Sequence, residues 1–194
     1  MKETAAAEPS FEVRTVAVIG AGAAGRSFAL ACAGAGFRVV LEDVMPAKLR
    51  RAAEVFADIS PHRPVGAVTG SLELVSTVED AVRSADIAVD FVPDELESKL
   101  EIFSMIDRMA PPKTILCTPS EVLSITDLAS CVYRPERCVA VRGGLVRGGF
   151  AVGATMRLVH PAEVAAAALE AVTAFLEALG VVVVAELDVN APMR

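Results

Sequence analysis

Between Val16 and Val44 the chain passes from strand to turn to helix and back to strand, and few folds admit that order. Val16-Ala-Val-Ile19 is an unbroken apolar run, the pattern of a strand covered on both faces. The turn Gly20-Ala-Gly22-Ala-Ala-Gly25 follows at once. Its first glycine permits a tight turn, its second lets a pyrophosphate approach the backbone, and its third lets a helix pack closely on the strand. The helix predicted over about residues 23–33 aims its free N–H groups and the positive end of its dipole at that turn. A second apolar run ends in Glu42 and Asp43, and Asp43 falls 23 residues after Gly20. A carboxylate there accepts the hydroxyls of a ribose. The pattern is that of dinucleotide binding, with Gly20, Gly22, Ala23, Ala24, Gly25 and Asp43 as the contacting residues. The alternative is a Gly/Ala-rich turn that binds nothing. Glu42 and Asp43 repel a 2′-phosphate, and the next basic residues, Lys48, Arg50 and Arg51, come later in a predicted helix. NAD is therefore expected over NADP.

The same alternation continues. Pro46 opens a helix predicted to about residue 57, and a Pro-broken loop spans residues 60–70. Strands are expected at 72–75, 87–91, 114–117, 138–141, 155–159 and 181–185. Thr77 opens a helical turn, and Leu96, Leu100, Phe103 and Ile106 mark the buried stripe of a helix over 94–109. Ser124-Ile-Thr-Asp127 resembles a capped helix start. Pro161 is expected in the first turn of a helix whose stripe is Val164, Ala168, Val172, Phe175 and Leu179. Strands alternating with helices specify an α/β class, a doubly wound and mainly parallel sheet of Rossmann type over residues 13–194, behind a flexible tail at 1–12.

Composition excludes other classes. A net charge of −7 without a basic stripe argues against nucleic acid. The hydrophobic content of 54% is high, yet no apolar run is long enough to span a membrane. The N-terminus has no signal-peptide core, so a cytoplasmic location is expected. The apolar surplus points to a homo-oligomer or a partner protein covering part of the surface. Cys32, Cys117, Cys131 and Cys138 lack CxxC spacing and read as reduced, buried thiols rather than metal ligands.

Beyond the glycine turn, the run from Ser84 to Lys99 (SADIAVDFVPDELESK), Leu123 to Ala129 (LSITDLA), Arg134-Pro-Glu-Arg137 and Leu176-Glu-Ala-Leu-Gly180 occur in the order seen in the 3-hydroxyacyl-CoA dehydrogenase family. The chain resembles that family's NAD-binding domain. The resemblance implies oxidation of a 3-hydroxyl on a thioester-linked acyl chain, with hydride passing to NAD. It places Asp43 on the adenosine ribose, Asp90 and Lys99 beside the cofactor, and Ser120 near the nicotinamide and substrate. The alternative for Lys99 is a solvated helix position.

The departures from the family pattern are as informative. Where the family carries His-Phe-Phe-Asn-Pro, with the His as general acid/base, this chain has Arg142-Gly-Gly-Leu145-Val. The strand expected to hold the family's partner Glu reads Ala154-Thr-Met-Arg-Leu158 and contains no acid. His62 lies in a loop, and His160 precedes Pro161, where it is expected to cap a helix. Arginine stays protonated and cannot act as a base, and general acid–base help is worth about 10²–10⁴-fold. The interval between the second and third strands lacks the family's long helical excursion. The family's Pro-Gly-Phe and Asn-Arg segment and closing helical domain have no counterpart before Arg194.

The leading expectation is an NAD-dependent oxidoreductase on a small-molecule or carrier-bound hydroxy or keto acyl substrate, with a rewired site. There Arg142 and Arg147 bind a carboxylate or polarise a carbonyl, and Ser120 or Thr118 hydrogen-bonds it. Their alternative is a pair of surface arginines. A second expectation is an inactive NAD-binding protein or a subunit that completes a partner's site. A third is a non-redox cyclase or dehydratase in the old cofactor cleft.

Overall fold

Thr15–Ile19 (β1) is buried along its whole length because helices cover both of its faces. Val16 and Val18 point into one apolar cluster with Phe28, Cys32 and Leu41, while Ala17 and Ile19 point into another with Phe103, Ile106 and Leu128. This computed structural model describes residues 12–59, 70–145 and 152–189. After β1 come α1 (Ala23–Gly34), β2 (Arg38–Glu42), α2 (Pro46–Ile59), β3 (Ser71–Val75), α3 (Val78–Val82) and β4 (Ile87–Asp90). Then follow α4 (Leu96–Met109), β5 (Ile115–Thr118), α5 (Ile125–Ala129), β6 (Cys138–Arg142), β7 (Thr155–His160), α6 (Ala166–Ala178) and β8 (Val182–Leu187).

The strands form one sheet in the order β3-β2-β1-β4-β5-β6-β7-β8. From β3 to β6 all neighbours are parallel. The chain starts at β1, winds outward to β3, then crosses to β4 on the other side. The crevice where the winding reverses, at the C-terminal ends of β1 and β4, is where doubly wound sheets hold ligands. The doubly wound, mainly parallel sheet expected from the sequence is the fold observed.

β7 runs antiparallel to β6, with Arg142 opposite Arg157, and β8 runs parallel to β7. Gly143 and Gly144, at φ +136° and +97°, turn the chain back after β6. The short helices begin as expected. The Thr77 hydroxyl accepts from the Asp80 N–H, and the Ser124 hydroxyl accepts from the Asp127 N–H. Two expectations at the C-terminal end are corrected. α6 begins at Ala166, not at Pro161, because the Ala165 N–H is drawn to the Glu136 carbonyl and the helix starts only beyond it. His160 ends β7, its Nδ1 lying 2.9 Å from the Pro161 carbonyl, and caps no helix.

Cys32, Cys117 and Cys138 are buried, Cys131 is half-buried, and all four are free thiols; burial pushes each of them up. No helix among the described residues is long and apolar enough to cross a membrane. His62, Arg147, Gly148, Gly149 and residues 1–11 of the tail lie outside the described residues.

Candidate functional site

Gly20 sits at φ +100°, and a side chain on it would meet the Phe91 carbonyl. Its N–H donates to the Glu42 carbonyl at 2.9 Å, which ties the turn to the end of β2. A Cβ on Gly25 would lie 1.9 Å from the Gly20 carbonyl oxygen, so only glycine lets α1 dock this closely on the turn. Gly22 differs: a Cβ there would meet nothing within 4 Å. It is the N-cap of α1, with no side chain capping the helix and no acid in the first turn. The helix therefore presents an uncapped N-terminus at the switch point, where its dipole favours an anion.

Beside this terminus opens a cleft of about 670 Å³. Gly20, Gly22, Glu42 and Asp43 line one side, and Ile19, Val78, Ile102 and Met105 supply an apolar wall suited to a flat ring. Asp43 is 5% exposed and its carboxylate is already well partnered. Oδ2 accepts from the Ala21 N–H (2.8 Å) and the Lys48 ammonium (3.0 Å), and Oδ1 accepts from the Met45 N–H (2.9 Å). Burial pushes the group up, but the Met45, Lys48 and Ala21 donors together hold it below the usual carboxylate range. Glu42 behaves oppositely. Burial first, and the Asp43 charge second, push its carboxyl up.

Lys48 corrects the sequence analysis, which set it aside as too far along the chain. It lies in the first turn of α2, lines the cleft and pairs with Asp43.

Farther along the strand ends is a smaller pocket of about 170 Å³, lined by Ala24, Phe91, Pro93, Lys99, Pro119 and Ser120 among others. Lys99 is 1% exposed, which excludes the solvated alternative. Its ammonium donates to Asp90 Oδ1 (3.1 Å), Oδ2 (3.0 Å) and the Asp90 carbonyl (3.4 Å). An ammonium has three donors, so Lys99 shapes this pocket rather than offering a free N–H. Asp90 lies fully buried behind it; burial pushes its carboxyl up against the pull of Lys99 and Thr118.

Ser120 is buried, and its hydroxyl accepts from the Leu123 N–H at 3.0 Å. Arg142 does lie next to Ser120, but not as expected. Nε donates to the Ser120 carbonyl (3.1 Å) and Nη2 to the Leu123 carbonyl (2.6 Å). The guanidinium clamps the loop after β5. At 8% exposed Arg142 is not a surface residue, and two of its N–H groups go to backbone carbonyls, the partners nearest to a buried cation.

Sequence reasoning missed Glu121. Its Oε1 accepts from the Gly143 and Gly144 N–H groups at 2.9 and 3.1 Å, and its Oε2 lies 3.8 Å from Arg157. Burial raises it, but the two glycine N–H groups and the arginines outweigh that and hold it low. Asp188 was also missed. Its Oδ2 accepts from the Ser124 hydroxyl and from the Thr126 N–H and hydroxyl, stapling the segment after β8 to α5. A lone acid beside no motif gives no sequence signal of either role.

The residues present fit a dinucleotide: an uncapped helix N-terminus, a glycine with open space above it, a carboxylate at the tip of β2 and an apolar wall. Residues 15–143 match the family model described as "3-hydroxyacyl-CoA dehydrogenase, NAD binding domain". The chain is 32% identical over 139 residues to a probable 3-hydroxybutyryl-CoA dehydrogenase of Bacillus subtilis, covering 67% of this chain and 48% of that protein. It is 30% identical over 135 residues to the 5-formyl-3-hydroxy-2-methylpyridine 4-carboxylate 5-dehydrogenase of Mesorhizobium japonicum, covering 66% of this chain and 44% of that one. The chain thus spans about half the length of these curated relatives. Among solved structures, a 3-hydroxybutyryl-CoA dehydrogenase from Escherichia coli superposes with a TM-score of 0.77 at 25% identity, over 91% of this chain and 39% of that chain. An (S)-3-hydroxybutyryl-CoA dehydrogenase from Ralstonia eutropha shares the fold, at 0.77 and 23% identity over 91% of this chain and 64% of that one. The chain belongs to the 3-hydroxyacyl-CoA dehydrogenase family and carries its NAD-binding domain.

Proposed function

We propose that this protein is an NAD-dependent oxidoreductase acting on a hydroxy or keto acyl-type substrate. The observation that carries this is the uncapped α1 N-terminus facing a cleft that also holds Asp43. Bound NAD supplies the two-electron hydride acceptor. The chain's own residues bind and orient it. The α1 N-terminus and Gly22 hold the pyrophosphate, Asp43 holds the adenosine ribose, and the apolar wall of Ile19, Val78, Ile102 and Met105 excludes water from the ring. The small pocket at Ala24, Lys99 and Ser120 orients the nicotinamide end, and proximity alone contributes several kcal/mol to such a transfer.

A specific observation favours a second reading, an NAD-binding domain whose proton-transfer group comes from another chain. Arg142, bonded to two backbone carbonyls and always protonated, stands where the sequence analysis aligns the family's histidine, and Glu121 is held low by two N–H donors, so neither suits a base working near neutral pH. The exposed apolar side chains Val182, Val184 and Leu187 on β8 support a partner, a second copy or another protein. The deciding experiment is calorimetry with NAD and NADH, followed by a turnover screen on hydroxyacyl and ketoacyl thioesters, with light scattering alongside. Turnover supports the first reading. Stoichiometric binding without turnover supports the second, and absence of nucleotide binding overturns both. A scattering mass of 20.2 kDa removes the partner copy.

A further inference from the structure

The Asp43 carboxylate has about four acceptor positions, and Ala21, Met45 and Lys48 occupy three of them. One position is left, whereas the ribose at this tip presents two adjacent hydroxyls. Asp43 alone therefore cannot accept from both. The Lys48 ammonium, 3.0 Å from Oδ2 and 42% exposed on the cleft wall, is placed to meet the other oxygen as a donor. Its position is not explained by helix stability. Lys48 lies in the first turn of α2, where the dipole disfavours a cation, and that turn holds no acid.

We propose that Lys48 is the specificity-determining residue for the 2′ position of the adenosine ribose, an inference that rests on the NAD reading above. In this arrangement one hydroxyl donates to Asp43 Oδ1, and the 2′-oxygen accepts from the Lys48 ammonium. The consequence concerns 2′-phosphorylated nucleotides. Glu42 and Asp43 place two carboxyl groups at the tip of β2, and without Lys48 a 2′-phosphate would meet them unscreened. With Lys48 between them and the ligand, the phosphate meets a cation at hydrogen-bonding distance. NAD stays preferred, but the exclusion of NADP is softened.

The test is calorimetry of the wild-type protein, Lys48→Ala, Lys48→Arg and Lys48→Glu with NAD, NADP, 5′-AMP and 2′,5′-ADP. Thermal melts confirm that each variant is folded. Lys48→Ala is expected to weaken NADP and 2′,5′-ADP at least about tenfold more than NAD and 5′-AMP, the scale of one charge-assisted bond. Lys48→Glu should widen the ratio further, and Lys48→Arg should restore it, which loss of packing alone would not do. If Lys48→Ala shifts phosphorylated and unphosphorylated ligands equally, or neither, the proposal is overturned while the NAD reading stands. If 5′-AMP and 2′,5′-ADP respond to Lys48 as expected but NAD does not bind, the NAD reading fails and the role of Lys48 survives. Binding of none of the four overturns both.

Discussion

The two halves of the sheet treat their polar groups in opposite ways. From β1 to β4 the strand ends face a cleft with an uncapped helix N-terminus, an open glycine and a carboxylate that keeps an acceptor position. From β5 to β8 the corresponding groups are turned inward. Arg142 holds two backbone carbonyls, Glu121 holds two backbone N–H groups, and Asp188 ties the chain after β8 to α5. The first half keeps an open cleft. The second is a scaffold built from charged residues. A cofactor site can thus persist on an intact first half while the groups that would move a proton serve the loops instead.

The largest effect should separate two glycines of one motif. A Gly25→Val side chain would collide with the Gly20 backbone, so a loss of about 3 kcal/mol or more of stability is expected in denaturant unfolding. Gly22→Val meets open space and should fold within about 1 kcal/mol of wild type, yet lose most of its NAD affinity because the pyrophosphate can no longer approach. Equal destabilisation by both would erase the distinction between a binding half and its support.

The next effect is on the scaffold side. Arg142→Ala leaves one buried and one half-buried carbonyl without their charged donor and should cost roughly 2–3 kcal/mol, with NAD affinity unchanged within about twofold. Unchanged stability together with lost substrate binding would move Arg142 back into the substrate site. Arg142→His should not restore hydroxyacyl-CoA dehydrogenase activity, because the strand paired with it offers Arg157 and no partner acid.

Glu42 and Asp43 sharpen the comparison through pH. Asp43 is held low by its donors, so its contribution to stability is present at neutral pH and is lost as the pH falls through its folded-state pKa. Glu42 is pushed up by burial, so its charged form opposes folding, and the penalty appears as the pH rises through its folded-state value. At pH 7 Asp43→Asn should therefore lower the melting temperature and Glu42→Gln should raise it, the Glu42 difference fading as the pH falls to the ordinary carboxylate range and the Asp43 difference persisting below it. The same sign for the two substitutions would show that the cleft charges are not arranged as described.

The smallest effect belongs to Glu121, which is partly exposed. Glu121→Gln should cost a few tenths of a kcal/mol at pH 7. Because the Glu121 carboxyl is held low, that difference should disappear in acid. An effect of several kcal/mol would mean that the turn after β6 depends on this one carboxylate.

Local chemistry was the legible part of the chain. β1, α1, the caps Thr77 and Ser124, and the stripe of α4 depend on neighbours within a few positions, which a sequence displays directly. The glycine turn was legible for the same reason, and Asp43 because its distance from that turn is set by one helix and one strand. The start of α6 was not legible. A proline in the right place for a first turn was overruled by the Glu136 carbonyl, which captures the Ala165 N–H. Lys48 was misjudged because the bend between β2 and α2 returns it to Asp43, only five positions back.

What the sequence determined by itself was the class of fold and the family, and the glycine turn and carboxylate that the structure places at one cleft. Each rests on periodicity or on the identity of single residues. Only the tertiary structure decided what the replacement residues do. Arg142 meets carbonyls 19 and 22 positions away, and Asp188 meets α5 across 62. Such pairings follow from which strand ends lie side by side and from the need of each buried charge for the nearest partner. Nothing along the chain records either one.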